Sequence, residues 1–494
     1  MLSDAEVYEL ARQNRDPRFD GRFFVGVTTT GIYCRPVCPV RIPKRENVVL
    51  FPSAAAAAEA GFRPCLRCRP ETSPGTPSWL GSSFTVSKAL QIIGRESSHE
   101  GASAALAEKL GISTRQLCRL FRKHLGASPQ AVIQTHRLQF AKQLLDETTL
   151  PVSEVCFAAG FGSVRRFNEV IKTTYGESPT RLRKRPRRRQ QTTAGIEIQL
   201  HYRPPFDWQA MLDFFAMRAI PGVEQITDRS YQRSFVLDDM AGCFSLVFSL
   251  PGRSASLTVV FPDSARLLEI VERVRNMFDL RADSAWIDSE LSADQQLAPI
   301  VARNPGLRVP GCWDGLEIAV RAIVGQQVSV KAAATLMRRL VERTGDKFTT
   351  AAEQTEGGIY RVFPDARRLA GADLSGLGIT GSRIEAIQSL ARSVANGQLS
   401  FDCAQDSENF RRLFCQLKGV GQWTADYVAL RALRDPDAFP HGDLILRRAL
   451  HLGSSPLSPG QLLERAEYWR PWRAYAVMLL WRNYQQSREP QAPA

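Results

Sequence analysis

Four cysteines stand in two close pairs in the first part of the chain. One pair closes the segment Cys34-Arg35-Pro36-Val37-Cys38, and the other closes Cys65-Leu66-Arg67-Cys68. Close thiol pairs that a fold brings together form tetrahedral sites for Zn²⁺. Thiols in such a site are held as thiolates, and the thiolate is the nucleophilic form of cysteine. We therefore expect one Zn²⁺ bound by Cys34, Cys38, Cys65 and Cys68, in a site that is either purely structural or also reactive.

A second candidate site lies in the last part of the chain, around the segment at 417–427. Gly419 and Gly421 flank one apolar residue and precede a predicted helix. A turn of this kind exposes backbone N–H groups at a helix start, where a phosphate can bind. Further on, Asp443 precedes another predicted helix, so its carboxylate is either an N-cap or a functional acid. We assign no role to His441, which lies two residues before it.

The composition indicates a large, basic, globular protein. The chain has 494 residues, which predicts three or four domains, and 44% of them are hydrophobic. The formal net charge of +14 favours a polyanionic partner. The opening residues lack the apolar run of a signal peptide, and no stretch is apolar enough to span a membrane. We expect a cytoplasmic protein without membrane contact, in a reducing compartment.

Short elements must position the cysteines. Residues 20–27 alternate like a strand that enters a small sheet, and the alanine-rich residues 53–60 predict a helix. Metal binding would supply part of the folding free energy of so small a domain. Residues 70–83 contain several Pro, Gly and Ser residues and predict a linker.

From about residue 84 to 182 the pattern is helical. A helix that ends at Gly111 is followed by Ser113, which caps the next helix and so predicts a helix-turn-helix. The pattern recurs around residues 152–168, after a long helix near 129–147. Because many helical pairs look alike, DNA binding stays open on this pattern alone. The second helix of each pair carries side chains that suit base edges or phosphates: Arg115, Gln116, Arg119, Arg165, Arg166 and Asn168.

A basic block at 181–189 predicts a boundary that either contacts phosphates or is only a solvated linker. Beyond this block the pattern changes. Alternation predicts strands at 196–200, 246–250 and 256–260. Helical periodicity appears at 208–218 and 264–278. Residues 195–283 therefore predict a small α+β domain, and from about residue 284 only helices are predicted.

The first domain resembles the N-terminal domain of the Ada family, whose members repair methyl phosphotriesters in DNA. The resemblance covers residues 1–75 and rests on three segments. These are Gly31-Ile32-Tyr33-Cys34-Arg35-Pro36-Val37-Cys38, Arg45-Glu46-Asn47-Val48 and Gly61-Phe62-Arg63-Pro64-Cys65-Leu66-Arg67-Cys68. The resemblance implies that Cys34 takes the methyl group irreversibly and that the other three cysteines complete the zinc ligands.

The helical region over 84–182 resembles the AraC-type regulator domain. The resemblance rests on Ala159-Gly160-Phe161-Gly162-Ser163, Phe167 and Tyr175-Gly176-Glu177-Ser178-Pro179. It implies two helix-turn-helix units that enter successive major grooves of promoter DNA. Methylation of Cys34 would reduce the net negative charge of a four-thiolate zinc site from −2 to −1. Repulsion from DNA phosphates would fall, so DNA binding would become stronger.

Nearly all of 196–486 resembles the AlkA-type 3-methyladenine DNA glycosylases of the helix-hairpin-helix superfamily. Besides the hairpin, the resemblance rests on Leu307-Arg308-Val309-Pro310-Gly311-Cys312, Val320-Arg321-Ala322-Ile323-Val324-Gly325-Gln326-Gln327-Val328-Ser329 and Trp469-Arg470-Pro471-Trp472-Arg473-Ala474-Tyr475. It implies that Asp443 is the catalytic aspartate and that Trp423, Tyr427 and Trp481 stack on the damaged base. Related lyases carry a Schiff-base lysine where Trp423 stands, so base removal without strand cleavage is expected.

Two departures from the AlkA pattern leave the range of damaged bases open. Gly442 stands where the best-known members have a second acid, and Leu444 stands where they have an aromatic residue. The expected substrates are bases such as 3-methyladenine and 7-methylguanine, which are cationic and leave readily. They must be extruded from the duplex and can be held by cation–π stacking.

Together these patterns predict a multidomain α+β chain. We expect a zinc-bound α+β domain at 1–75, an all-α double helix-turn-helix domain at 84–182, a small α+β domain at 195–283 and an all-α glycosylase domain at 284–486. The predicted function is alkylation repair with regulation of promoters, acting as a monomer on duplex DNA with RNA polymerase as a partner. Two alternatives remain: a regulator with an inactive glycosylase half, and an active glycosylase with a structural zinc site.

Overall fold

The computed structural model of the chain describes residues 4–73, 84–95, 102–183, 195–249, 252–349, 358–401, 407–450 and 456–487. The chain divides into two compact units. Unit 1 comprises Met1–Pro204, Leu246–Asn276 and Leu280–Asp283. Unit 2 comprises Pro205–Ser245, Met277–Asp279 and Ser284–Ala494.

Unit 1 begins with a four-stranded sheet in the order β3-β1-β2-β4. Its strands are β1 (Phe24–Val27), β2 (Ile32–Cys34), β3 (Val48–Phe51) and β4 (Arg63–Pro64). β1 pairs antiparallel with β2 and β3, while β2 and β4 run parallel. The helices of this region are α1 (Asp4–Gln13) and α2 (Ala54–Glu59), and Ser53 caps α2 by accepting from the Ala56 N–H. The strand and the helix predicted at 20–27 and 53–60 are thus confirmed.

The start of the predicted linker is folded. A short 3-10 helix forms at Pro70–Thr72, and Glu71 is buried there. Its carboxylate has two cationic partners, Arg69 at 3.3 Å and Lys142 at 3.6 Å. The linker prediction is therefore wrong for residues 70–73, because these ion pairs allow a charged residue to be buried. The rest of the predicted linker, 74–83, lies outside the described residues.

Seven helices follow, as the helical pattern predicts. They are α3 (Phe84–Arg95), α4 (Ala102–Lys109), α5 (Thr114–Leu125), α6 (Pro129–Glu147), α7 (Val152–Ala158), α8 (Val164–Tyr175) and α9 (Pro179–Leu182). Gly111 turns the chain with a φ of 64°, and Ser113 accepts from the Gln116 N–H at 3.2 Å to cap α5. Ser163 caps α8 in the same way. Both predicted helix-turn-helix units are present.

The second helix of each helix-turn-helix unit, α5 in one and α8 in the other, buries one face. Residues spaced four apart are buried on each, which leaves the opposite face to solvent. They are Leu117, Phe121 and Leu125 on α5, and Phe167, Ile171 and Tyr175 on α8. Of the basic block, only 181–183 is described. Leu182 is buried and Arg183 donates to the Leu150 carbonyl, while the remainder lies outside the described residues.

A second sheet has five strands in the order β5-β9-β8-β7-β6. Its strands are β5 (Ile196–His201), β6 (Glu224–Ile226), β7 (Ser230–Leu237), β8 (Met240–Phe248) and β9 (Ser254–Val260). β5 and β9 pair antiparallel with Ile196 opposite Val259, and β6 and β7 pair antiparallel with Glu224 opposite Arg233. The accompanying helices are α10 (Trp208–Ala216) and α11 (Leu267–Met277). The sequence did not predict β6 and β7, because β7 buries the charged Arg233 and breaks the apolar alternation.

The remaining elements of unit 2 are helical. They are α12 (Ser284–Leu291), α13 (Ala298–Arg303), α14 (Gly315–Val324), α15 (Val330–Thr344), α16 (Ala366–Gly371), α17 (Gly381–Ala395), α18 (Ser407–Phe414), α19 (Gln422–Arg431), α20 (Leu444–Ala449), α21 (Pro459–Ala466) and α22 (Arg473–Gln486). Further 3-10 turns lie at Pro17–Phe19, Arg45–Asn47, Ser264–Arg266 and Glu467–Trp469. α18, the turn at 415–421 and α19 form the helix-hairpin-helix. Among the helices described, none has the length and hydrophobicity of a membrane span.

The C-terminal turn of α6 joins three parts of unit 1. Arg69, which follows the last cysteine of the cluster, contacts Asp146 at 3.1 Å and Glu147 at 3.4 Å. Glu147 also accepts from the Gln199 N–H of β5 at 2.9 Å. Gln143 donates to the Gln199 carbonyl at 2.8 Å. The cysteine loop, α6 and β5 are therefore held by one nearly buried carboxylate.

We expect Glu147→Gln to lower the free energy of unfolding of unit 1 by about 2 kcal/mol, because the Arg69 guanidinium loses a buried charged partner. Urea denaturation followed by circular dichroism measures the change. Glu46→Gln is the matched control, since Glu46 pairs with Lys44 at 3.7 Å on the surface, and its effect should stay below about 0.5 kcal/mol. Equal effects of the two substitutions would contradict this role of Glu147.

Candidate functional site

The four cysteines of the two pairs meet in unit 1. Their sulfur atoms all lie within 4.8 Å of one another, and all four residues are buried. Zn–S bonds of about 2.3 Å in a tetrahedron place sulfurs about 3.8 Å apart, so the cluster has the size of a single Zn²⁺ site. The cluster and its chemistry fit one Zn²⁺ bound by Cys34, Cys38, Cys65 and Cys68.

Backbone pairing brings the two cysteine pairs together. Cys34 ends β2, and the Cys65 N–H donates to the Tyr33 carbonyl at 3.0 Å, which continues the β2–β4 pairing. The Arg35 N–H points at the Cys68 sulfur at 3.4 Å. The Arg35 side chain then donates to the Cys68 carbonyl and pairs with Asp20. Arg35 thus fixes the loop of the second pair against the strand of the first.

A cavity of about 310 Å³ adjoins the cluster. Cys34, Cys38 and Cys65 line it. Its lining also includes Arg12, Arg15, Arg35 and Arg41. Arg15 and Arg41 are exposed, so positive charge stands at a surface position beside three of the sulfurs. The cavity does not by itself distinguish Cys34 from the other two cysteines.

The side chains expected to contact DNA lie on exposed helix faces. All six are exposed: Arg115, Gln116 and Arg119 on α5, and Arg165, Arg166 and Asn168 on α8. Five of them stand opposite the buried faces of the two helices, and Asn168 lies at the edge of the buried face of α8. Each helix therefore presents a polar and mostly cationic surface suited to a groove lined by phosphates.

The glycines of the hairpin adopt the turn that the sequence predicts. Gly419 has a φ of 86°, a region that favours glycine, and its carbonyl accepts from the Gln326 side chain at 3.0 Å. Gly421 is the N-cap of α19, and no side chain caps this helix start. Both glycines are exposed. The first N–H groups of α19 are therefore available to an anion from outside.

Asp443 joins three helices of unit 2 through its carboxylate. It is the N-cap of α20, and one oxygen accepts from the Ile445 and Leu446 N–H groups at 2.9 and 3.0 Å. The indole N–H of Trp423 on α19 donates to the other oxygen at 2.9 Å. The indole N–H of Trp481 on α22 contacts the first oxygen at 3.3 Å. Asp443 is therefore an N-cap whose carboxylate also binds the indoles of Trp423 and Trp481.

The predicted aromatic residues lie together beside this carboxylate. Trp423 and Tyr427 are stacked, with centroids 5.4 Å apart and planes at 11°, and Trp481 lies 6.3 Å from Tyr427. All three and Asp443 line a cavity of about 610 Å³. A cavity of this size accommodates a purine base together with part of its sugar. Gly442 and Leu444, at the two departures from the AlkA pattern, are exposed and are not among its lining residues.

A set of charged residues that the sequence did not predict lines the same cavity. Arg233 and Arg321 pair with Glu317 at 2.7 and 2.6 Å, and Arg321 also pairs with Glu224 at 2.5 Å. Burial favours the neutral acid, but the two arginines outweigh it and lower the pKa of Glu317. Arg321 stands inside a segment that carried the AlkA resemblance. No pattern in the sequence could pair Arg321 with Glu224, which lies 97 positions away.

A second cationic pair acts on Tyr427. Arg431 donates to the Tyr427 hydroxyl oxygen at 2.8 Å and to the carbonyls of Pro310 and Gly311. Burial raises the pKa of Tyr427, but the Arg431 and Arg218 guanidinium groups outweigh burial and lower it. Arg431 therefore holds the Tyr427 side chain at its hydroxyl oxygen, and Tyr427 lines the cavity.

Comparisons with known families match the chain in four segments. Residues 8–71 match the metal binding domain of Ada, and residues 106–185 match a helix-turn-helix domain. Residues 197–314 match the AlkA N-terminal domain. Residues 320–473 match the HhH-GPD superfamily of base excision DNA repair proteins.

Relatives match over much of the chain. A Mycobacterium tuberculosis protein named "Probable bifunctional transcriptional activator/DNA repair enzyme AlkA" is 39% identical over 485 residues, which cover 97% of each chain. The DNA-3-methyladenine glycosylase 2 of Escherichia coli is 32% identical over 57% of this chain and 95% of its own. The structure of the Archaeoglobus fulgidus 3-methyladenine DNA glycosylase matches with a TM-score of 0.52 and 21% identity, over 59% of this chain and 99% of that chain. This last likeness concerns the fold alone.

These matches define a DNA glycosylase of the base-excision class, combined in one chain with an Ada-type metal-binding domain and a DNA-binding helix-turn-helix domain. The chain belongs to the family of bifunctional transcriptional activator/DNA repair enzymes that includes the Mycobacterium tuberculosis protein.

We expect the protein to bind about one Zn²⁺ per chain, because only the four clustered thiols offer a tetrahedral sulfur set among the described residues. Replacing Zn²⁺ by Co²⁺ should give the absorption bands of a tetrahedral thiolate site. Cys68→Ser should weaken metal binding at least about 10-fold. Cys415→Ser, outside the cluster, serves as control, and an equal loss in both variants would argue against the site.

Proposed function

We propose that this protein excises alkylated bases such as 3-methyladenine and 7-methylguanine from duplex DNA, and that its zinc site accepts a methyl group from DNA phosphotriesters to activate promoter binding. The observation that carries the first part is the pairing of Asp443 with Trp423 and Trp481 at a cavity of about 610 Å³. The four-sulfur cluster beside an arginine-lined cavity supports the second part.

The aromatic residues would hold the extruded base. An alkylated purine is cationic, and the electron-rich faces of Trp423, Tyr427 and Trp481 attract it by stacking and cation–π interaction. Hydrogen bonds at the ring nitrogens and the phenol oxygen keep these rings from rotating away. A preorganised pocket favours the extruded state because little side-chain order is lost on binding.

Asp443 would act on the sugar. As the C1′–N bond breaks, positive charge develops at C1′ and a nearby carboxylate stabilises it. Water then adds its oxygen to C1′ and loses a proton, and the alkylated base leaves as a neutral molecule. A carboxylate can orient this water or take its proton. One acid suffices because the base is already cationic and needs no added proton. With Trp423 in place of a lysine, no Schiff base forms at that position and the strand stays intact.

We expect Asp443→Asn to slow release of 7-methylguanine from duplex DNA by at least about 100-fold, because the negative charge at the sugar is lost. Asparagine is also a good N-cap, so the fold should be retained. A single-turnover assay of released base measures the effect.

Asp365→Asn is the matched control for this assay, because Asp365 caps α16 and accepts from the Arg368 N–H at 2.7 Å. It should release base at the wild-type rate. If the wild type releases no base, the glycosylase half is inactive and the protein is a regulator that only binds DNA.

The zinc site would act as a one-use methyl acceptor. Bound Zn²⁺ keeps the sulfurs as thiolates. The Cys34 sulfur attacks the methyl carbon of the phosphotriester, so that an S–C bond forms, the C–O bond breaks and the phosphate diester leaves as an anion. The exposed Arg15 and Arg41 beside the cavity suit the phosphate, and the resemblance to Ada assigns the acceptor to Cys34.

We expect mass spectrometry to find one added methyl group on the Cys34 peptide after incubation with DNA that carries methyl phosphotriesters, because Cys34 is the proposed nucleophile. Cys34→Ala should lose both the methyl group and alkylation-dependent promoter binding. Cys243→Ala, far from the cluster in sequence, should retain both. A wild-type protein that gains no methyl group would leave the zinc site with a structural role alone.

The regulatory part of this proposal requires promoter DNA as a second ligand. Methyl transfer would remove one negative charge near DNA phosphates, which lowers repulsion and tightens binding. The exposed cationic faces of α5 and α8 would then read promoter sequence. Contact with RNA polymerase and a monomeric state are part of the same proposal.

A further inference from the structure

A buried charged cluster lies next to the site in sequence but outside the cavity. Its centre is Asp426 on α19, which stands between Trp423 and Tyr427 in the chain and is only 4% exposed. The carboxylate is not among the groups that line the cavity. A buried acid at this position requires an explanation, because burying an unpaired charge is costly.

Three side chains from three segments surround the Asp426 carboxylate. Arg411 of α18 lies 2.8 Å from one oxygen, and the Gln422 amide donates to both oxygens at 3.2 Å. The Nδ1 atom of His441 lies 4.0 Å from the other oxygen. Burial raises the pKa of Asp426, although Arg411, Gln422 and His441 act in the opposite direction.

This cluster holds both ends of one loop against α18 and α19. Arg411 also contacts Asp435 at 2.8 Å, and Asp435 is where the loop leaves the end of α19. His441 is two residues from Asp443, where the loop enters α20. Within the loop the Asp443 N–H donates to the Pro440 carbonyl at 2.8 Å. A movement of His441 would therefore be passed to Asp443 through one short turn.

The charges explain why the loop is held on this side. Asp426 and Asp435 are two acids that share one cation, Arg411. The His441 ring supplies the remaining polar or cationic neighbour of Asp426. On the other side of the same loop, Asp443 meets the Trp423 indole N–H. Trp423 and Asp426 belong to the same helix. α19 therefore contacts the loop at two points, through Trp423 at the cavity and through Asp426 outside it.

We propose that Asp426 is a positioning residue, which with Arg411 and His441 sets the distance between the Asp443 carboxylate and the Trp423 indole. It touches neither base nor sugar and acts only through the loop. The proposal rests on the catalytic role proposed for Asp443. His441, to which the sequence assigned no role, thereby gains one as the contact between Asp426 and the catalytic turn.

The first test of this inference is spectroscopic. In protein labelled with ¹⁵N at the indoles, Asp426→Asn should shift the Trp423 Nε1–H resonance, assigned with Trp423→Phe. The Trp469 Nε1–H donates to Asp294 at 2.8 Å in the same unit and should not move. A shift of neither resonance, or an equal shift of both, would overturn the positioning role.

The second test is kinetic. Asp426→Asn should lower the single-turnover rate of 7-methylguanine release about 10-fold and change the Kd for the same DNA less than about 2-fold, because geometry rather than binding is altered. Glu385→Gln is the control, since it removes an exposed acid that pairs with Lys418 of the hairpin. It should leave the rate unchanged.

His441→Gln is the second variant, to be used if Asp426→Asn does not fold. The His441 side chain is 30% exposed, so its replacement should leave the fold intact. It should slow release about 3-fold and shift the same indole resonance. A wild type that releases no base defeats the proposed function itself. If the wild type and both variants release base at the same rate, only the positioning role is contradicted.

Discussion

The carboxylate of Asp443 accepts N–H groups from three helices at once, and the geometry of unit 2 depends on this convergence. Two donors belong to the first turn of α20, one to Trp423 on α19 and one to Trp481 on α22. A charged oxygen removed from bulk water is tolerated only when it is fully hydrogen-bonded. The donors that stabilise the carboxylate also fix the faces of the aromatic rings, so one set of bonds serves the fold and the site.

The same principle applies to other buried carboxylates of the two units. Glu317 is buried between Arg233 and Arg321, and Glu147 joins the cysteine loop to β5 through Arg69 and the Gln199 N–H. Breaking such a pair is costly, because it leaves a charge without a partner in a medium of low polarity. These carboxylates therefore specify which segments meet more than they add to stability. The four thiols follow a related rule, since a metal ion would hold together loops that a small core cannot.

The two DNA-directed halves use different physics. α5 and α8 carry their cationic and polar side chains on exposed faces, where long-range attraction to phosphates and reading of groove edges are possible. The cavity of unit 2 is lined by aromatic rings and by buried ion pairs, and hydrogen bonds to Asp443 and Arg431 hold the rings in place. One surface suits undamaged duplex DNA, and the other suits a single base taken out of the stack.

Features that depend on near neighbours along the chain could be predicted from the amino-acid order alone. The cysteine pairs, the capped helices at Ser113 and Ser163 and the hairpin glycines follow from local spacing, turn chemistry and periodicity. Which distant residues form ion pairs depends on the tertiary structure. The partners of Arg233, the contact of His441 with Asp426 and the packed turn at Pro70–Thr72 all join segments far apart or reverse a local preference. A buried charge finds its partner through the fold, and no local pattern in a chain encodes a contact that only loop closure can create.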